Sequence, residues 1–210
     1  MKLQLALDTL SIEESLQLIE QLGDTVDIVE IGTPMIIEYG LEAVRRMKQA
    51  FPEKTVLADA KIMDAGRYEA DKCFAAGADI VTLLGAANDL TVAGGVASAR
   101  AHGGQLMVDM IEVRNFAQRV REIEDLGADI ICVHTAFDTK VTGADSFAEL
   151  RQINEICKTA VIAIAGGITP DNLQSAIDIG ARIAVIGSAI INAPDRVAMA
   201  RRMKEKMTNE

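Results

Sequence analysis

Apolar residues gather in eight short runs, Leu3–Leu7, Asp27–Ile31, Thr55–Ala58, Asp79–Leu84, Gln105–Met110, Asp129–His134, Ala160–Ala165 and Ile183–Ile186, and helix-period patterns fill the stretches between them. Many runs are apolar on both faces, as parallel strands covered by helices must be. Strand and helix therefore alternate as βαβ units. Eight units in 210 residues predict one closed (β/α)₈ barrel spanning the chain, with an open doubly wound sheet as the alternative.

Local signals support the count. Ser11-Ile12-Glu13-Glu14 and Ser146-Phe147-Ala148-Glu149 read as capping boxes, and Thr169-Pro170-Asp171 as an N-cap followed by a first-turn proline. Gly77-Ala78-Asp79, Gly127-Ala128-Asp129 and Gly180-Ala181-Arg182 share one scheme, a glycine closing a helix just before a strand, which is the trace of a repeated βα unit. The tail after Arg201 reads as a solvated helix end. Polar residues collect where the strands finish: Asp8, Glu30, Asp59 with Lys61, Asp109 with Glu112, His134, Gly166-Gly167 and Gly187-Ser188. A barrel brings all of these to one mouth, whereas an open sheet would keep its outer strands apart, and this favours the barrel.

Composition narrows the partners. The net charge of −10 disfavours nucleic acid and anionic membrane surfaces, so a phosphate site has to be local, built from backbone amides and a cation. The three cysteines, Cys73, Cys132 and Cys157, are far apart and read as reduced core residues, with no zinc pattern around them. No signal peptide and no membrane-length apolar run is evident, and a soluble cytoplasmic protein is expected.

Chemistry concentrates in Leu57-Ala58-Asp59-Ala60-Lys61-Ile62-Met63-Asp64-Ala65-Gly66. Residues two apart in a strand share a face, so Asp59 and Lys61 are expected to meet in one pocket, either as a structural ion pair or as part of a site. Glu30 is an acid in an apolar strand and needs a partner, which could be Lys61 or, jointly with Asp59, a Mg²⁺ ion that takes one or two carboxylates. His134 at a strand end is either a hydrogen-bonded core residue or a general base. His102 falls in a turn at the opposite end and receives no role. Gly166-Gly167 and Gly187-Ser188 follow the seventh and eighth strands, where barrels often cradle phosphate, although each pair alone could be a tight turn.

Six segments, Leu3-Gln4-Leu5-Ala6-Leu7-Asp8, Glu30-Ile31-Gly32-Thr33-Pro34, Ala58 to Gly66, Val108-Asp109-Met110-Ile111, Cys132-Val133-His134-Thr135 and Ala165-Gly166-Gly167-Ile168, carry a resemblance over nearly the whole chain. The chain resembles the 3-hexulose-6-phosphate synthases, in the barrel suprafamily that also holds orotidine 5′-phosphate decarboxylase and 3-keto-L-gulonate 6-phosphate decarboxylase. The resemblance implies that Glu30 and Asp59 hold Mg²⁺, that Lys61 sits beside an enediolate oxygen, and that His134 moves the proton. It further implies that Asp8, Thr33 and Asp109 contact substrate. Asp64 would reach the active site of a neighbouring subunit, which implies a homodimer with shared sites. The implied reaction is the reversible aldol condensation of formaldehyde with D-ribulose 5-phosphate. The gulonate-phosphate decarboxylases usually carry arginines where this chain has Phe137 and Ser188. That difference favours the synthase branch, while the Asp-x-Lys-x-x-Asp core is common to both. A non-catalytic phosphosugar sensor is the rival of another class, disfavoured by the intact set of ionisable groups.

Overall fold

The computed structural model describes residues 1–136, 138 and 146–208, so Phe137 lies outside the described residues. All eight apolar runs form strands: β1 Lys2–Leu7, β2 Ile28–Ile31, β3 Thr55–Ile62, β4 Ile80–Leu84, β5 Gln105–Asp109, β6 Ile130–His134, β7 Val161–Ala165 and β8 Ile183–Ile186. Each pairs in parallel with its successor and β8 closes on β1, which excludes the open sheet. The helices are α1 Ile12–Leu22, α2 Thr33–Tyr39, α3 Glu42–Ala50, α4 Gly66–Ala75, α5 Asp89–His102, α6 Phe116–Leu126, α7 Ser146–Ile156, α8 Leu173–Ile179, α9 Ser188–Ile191 and α10 Arg196–Thr208.

Several strands begin one residue later than expected, for a physical reason. The aspartates that precede β2, β4 and β6 turn their carboxylates onto the previous odd-numbered strand: Asp27 Oδ2 accepts the Leu3 N–H at 2.6 Å, Asp79 Oδ2 that of Val56 at 2.8 Å, and Asp129 Oδ2 that of Leu106 at 2.9 Å. The recurrent aspartate thus satisfies a strand-edge amide that would otherwise lack a partner.

The pleat divides the apolar residues into two masses. Val29, Ile31, Val56, Ala58, Val81 and Leu83 belong to the outer mass shared with the helices, whereas Ile28, Leu57, Ile80, Met107, Ile130, Cys132, Ala163, Ala165 and Ile183 form a separate inner cluster. Two residues beyond the inner apolar positions on β2 to β6 come Glu30, Asp59, Thr82, Asp109 and His134, on the same strand face. A polar layer therefore lies on an apolar plug. The plug closes the lower barrel and leaves the upper end for chemistry.

The capping box at Ser11 forms as expected: its hydroxyl accepts the Glu14 N–H, and the Glu14 carboxylate accepts the Ser11 N–H at 2.9 Å. Helix α7 already includes Ser146, at the edge of the described residues. The expectation for Thr169 needs correction. Helix α8 begins only at Leu173, because the Asn172 side chain ties the preceding turn together, accepting from Thr169 N at 2.8 Å and donating to Gly167 O at 2.9 Å. The tail also differs from the solvated end expected. Met203 and Met207 of α10 are buried, and Lys204 Nζ reaches Asp27 at 2.5 Å, so this helix seals the barrel beside β1. His102 is the last residue of α5 rather than part of a turn, stacked on Phe74 and next to Asp71.

Glu124 on α6 performs a structural task that has a pH signature. Its Oε1 accepts the N–H groups of Thr159 at 2.7 Å, Lys158 at 2.9 Å and Ala160 at 3.0 Å, organising the turn before β7. Burial alone would raise this carboxyl, but the three amides outweigh it and hold it at about 2. A carboxyl depressed in the folded state stabilises above its unfolded pKa, and the stabilisation is lost as pH falls from about 4.5 towards 2. Glu124 is partly open to solvent, which screens the charge. Glu124→Gln is therefore expected to lower stability by only about 1 kcal/mol at pH 7 and by clearly less near pH 2, where the carboxyl is partly protonated in the folded state as well. Denaturant unfolding of both proteins at the two pH values checks this; an equal loss at both would show that the carboxylate charge is not responsible.

Candidate active site

The mouth of the barrel is built where β3 overruns its expected end. The strand continues from Ala58 through the charged stretch to Ile62, and pairing with β4 jumps from Ala58↔Val81 to Ile62↔Leu83. Four steps on β3 match two on β4, so β3 bulges by two residues, and Lys61 sits in left-handed backbone at φ 46°. The expected meeting of Asp59 and Lys61 does occur, with Lys61 Nζ 2.5 Å from Asp59 Oδ2. Simple alternation does not bring it about, since the pleat is broken between the two residues.

From this pair the polar layer extends across the barrel. Lys61 Nζ is 3.6 Å from Asp109 Oδ2, and the same oxygen is 2.8 Å from His134 Nδ1. Thr33 Oγ1, at the start of α2, lies 2.8 Å from Asp59 Oδ2, and Thr82 Oγ1 lies 2.8 Å from Asp59 Oδ1. Glu30 accepts from Gln4 Nε2 at 2.7 Å and makes no ion pair with Lys61. Residues from six strands, β1 to β6, thus share one layer, as the barrel reading required.

The electrostatics are those of an anion-rich pocket in which Lys61 is the fixed cation among the described residues. Burial, and then the Asp59 charge, push Glu30 well above the usual carboxylate range, and the same two causes raise Asp8. For Lys61 burial acts downward, but the charges of Asp59 and then Asp109 prevail and hold the ammonium above its ordinary value. Burial would raise Asp109, yet the hydrogen bond and charge of His134 and the Lys61 charge keep it lowered. Asp109 is therefore an ionised acceptor for His134 Nδ1–H, which leaves Nε2 as the end that can take a proton.

The glycine loops lie at the same mouth. Gly166 and Gly167 are both left-handed, at φ 90° and 77°, and a Cβ on Gly166 would come within 2.5 Å of the Thr135 carbonyl oxygen. Only glycine lets the seventh loop pass there. Gly187 and Ser188 open α9 beside Asp8, since a Cβ on Gly187 would lie 3.6 Å from Asp8 Oδ2. Asp64 is exposed, its Oδ1 accepts the adjacent Ala65 N–H, and it stands apart from the Asp59, Lys61, Asp109 and His134 cluster of its own chain.

The donor set fits the Mg²⁺ implied by the resemblance. Two hard carboxylates, Glu30 and Asp59, are near enough that the Asp59 charge acts on Glu30, a concentration of negative charge that a divalent cation relieves. Among the described residues no three His, Cys, Asp or Glu groups form a complete cage, and Mg²⁺ does not need one because it keeps waters and substrate oxygens.

Sequence reasoning missed two members of this layer, Gln4 and Thr82. Both lie inside apolar strands, and the signal that could have found Thr82 is its spacing: it follows Ile80 by two, as Asp59 follows Leu57 and Asp109 follows Met107.

Comparison with known proteins places the fold among characterised barrels. A 3-hexulose-6-phosphate synthase of Bacillus subtilis strain 168 is 46% identical over 205 residues, covering 98% of each chain. The crystal structure of 3-hexulose-6-phosphate synthase from Salmonella typhimurium superposes with a TM-score of 0.96 at 40% identity, covering 99% of this chain and 98% of that one. A 3-keto-L-gulonate-6-phosphate decarboxylase from Vibrio cholerae has a TM-score of 0.85 at 24% identity over 98% of this chain and 96% of its own, a likeness of fold. The family model described as orotidine 5′-phosphate decarboxylase / HUMPS matches residues 1–203. With that match, and with relatives of this identity spanning nearly its full length, the chain belongs to the orotidine 5′-phosphate decarboxylase / HUMPS family.

Proposed function

We propose that the protein is a 3-hexulose-6-phosphate synthase, an aldehyde-lyase that joins formaldehyde to D-ribulose 5-phosphate and also runs in reverse. The observation that carries the reading is the continuous chain Asp59–Lys61–Asp109–His134, with contacts of 2.5, 3.6 and 2.8 Å, in a barrel mouth flanked by the glycine loops. Similarity of the whole chain to synthase relatives at 40% identity and above supports the reading.

The substrate phosphate is held by backbone amides at Gly166-Gly167 and Gly187-Ser188. His134 Nε2, its ring fixed through Asp109, removes a proton from C1 and a 1,2-enediolate results. The Lys61 ammonium faces the developing negative charge, an electrostatic contribution of the kind that usually dominates. Asp8 and Thr33 line the same mouth and orient the sugar hydroxyls. The enediolate carbon then bonds to the formaldehyde carbon, and the proton on His134 passes to the oxygen of the former aldehyde, giving D-arabino-hex-3-ulose 6-phosphate. Glu30 and Asp59 would hold Mg²⁺, which when bound would supply further neutralisation of the negative charge that develops on the substrate.

A homodimer with shared sites is part of this reading. Ile37, Met63, Tyr68 and Leu90 are exposed at 80, 51, 65 and 86%, all in the segments that follow β2, β3 and β4, as Asp64 is. Large apolar side chains grouped in this way mark an interaction surface. Sedimentation at a single-subunit mass would set the dimer aside.

The test is to follow formaldehyde loss with pure protein, ribulose 5-phosphate and Mg²⁺. Turnover is expected, and it should stop in excess chelator and return with added Mg²⁺. No formaldehyde loss, together with carbon dioxide release from 3-keto-L-gulonate 6-phosphate, would move the activity to the decarboxylase branch.

A further inference from the structure

Strand β4 reads Ile80-Val81-Thr82-Leu83-Leu84, four aliphatic residues around a single hydroxyl, and Thr82 is only 3% exposed. A threonine hydroxyl offers one proton and two lone pairs. Here it is used in both directions, donating to Asp59 Oδ1 at 2.8 Å and accepting the Lys61 backbone N–H at 2.9 Å. The geometry points to Thr82 as a positioning residue: one hydroxyl clasps both ends of the Asp59–Lys61 pair and fixes the β3 bulge that turns the Lys61 ammonium onto Asp59 and Asp109.

The pairing pattern explains why a clasp is needed. The two extra residues of β3 fall opposite Thr82, between Ala58↔Val81 and Ile62↔Leu83, where the regular ladder is interrupted. The Lys61 amide accordingly bonds to a side chain of β4, and a buried amide without a partner is strongly disfavoured. Left-handed backbone is also unfavourable for lysine and persists only where several contacts enforce it together. Among the described residues the four non-glycine residues with positive φ, Lys61, Ala65, Glu112 and Asn115, all lie in or just after β3 and β5, at the mouth of the barrel. Of these, Lys61 is the one whose side chain enters the charged cluster, and Thr82 holds its amide in place. Asp59 is held by the same oxygen, so the two groups cannot shift independently.

The kinetic part of the test rests on the reaction proposed above; the structural part does not. Thr82→Val keeps the side-chain shape and removes the hydroxyl, whereas Thr82→Ser keeps the hydroxyl and removes the methyl. With ribulose 5-phosphate and formaldehyde, kcat of Thr82→Val is expected to fall about 10²-fold with KM changed less than about threefold, since displacement of a catalytic group by about 1 Å has effects of this size. Thr82→Ser should keep kcat within about threefold of the parent. Amide hydrogen exchange at Lys61, read by NMR without ligand, should accelerate at least about tenfold in Thr82→Val and stay slow in Thr82→Ser, a change in local protection. Unchanged exchange and kcat in Thr82→Val, or a loss in Thr82→Ser equal to that in Thr82→Val, would overturn the assignment. If Thr82→Val does not fold, Thr82→Cys is read in the same way, its thiol being a weak substitute for the hydroxyl, and parental exchange and kcat there would again overturn it. A parent protein inactive on these substrates refutes the reaction, while exchange at Lys61 still decides the role of Thr82.

Discussion

Asp59→Ala is expected to lower kcat/KM for ribulose 5-phosphate by about 10³-fold or more, equivalent to about 4 kcal/mol of transition-state stabilisation. The size follows from how many contacts converge on one carboxylate. Its oxygens take the Thr33 hydroxyl, the Thr82 hydroxyl and the Lys61 ammonium, and it is one of two candidate Mg²⁺ ligands. Removal takes this carboxylate from all three at once: Thr33 keeps the Asp59 backbone carbonyl at 2.8 Å, Thr82 keeps the Lys61 amide, and Lys61 is left with Asp109 at 3.6 Å as its anionic neighbour. The ammonium then sits off its productive position, and the site has one carboxylate in place of two for the cation. Asp59→Asn is the sharper variant, because it preserves volume while removing the charge. Its activity should be equally low, and circular dichroism should show an intact barrel. Retention of more than about a tenth of the parental rate by Asp59→Asn would mean that neither the charge nor the metal at this position matters to the chemistry.

His134→Gln should reduce kcat by about 10² to 10⁴, the usual contribution of a positioned general base. The more specific readout omits formaldehyde altogether. With ribulose 5-phosphate alone in D₂O, the parent protein should exchange the C1 proton with solvent, and His134→Gln should not. Exchange at the parental rate in the variant would assign the proton transfer to another group. Asp109→Asn separates the ring from its orientation: the imidazole remains but loses the carboxylate that accepts from Nδ1 at 2.8 Å, so the wrong tautomer becomes accessible. Its exchange rate should fall between those of the parent and His134→Gln.

The eight strands were legible because a parallel barrel strand is buried on both sides, and two apolar faces show as a short unbroken run. Helix ends were legible where one residue carries the local chemistry, as Ser11 does for α1 and Gly127 does for α6. They failed where a side chain three residues ahead took over, as Asn172 did at the start of α8. The roles of Lys61 and His134 came from resemblance rather than spacing, since a lone lysine or histidine at a strand end has the same pattern whether it reacts or merely packs.

The sequence by itself determined the barrel, the order of its strands and the end at which the polar residues collect, because each of these depends on periodicity and on residues close together along the chain. The tertiary structure alone decided which of those residues touch. Gln4 on Glu30, Thr33 on Asp59 and Thr82 on both Asp59 and Lys61 are contacts between strands or helices 21 to 26 residues apart. Their partners are chosen by the stagger of a closed sheet and by a two-residue bulge in β3, and no local pattern in one strand records the register of the next.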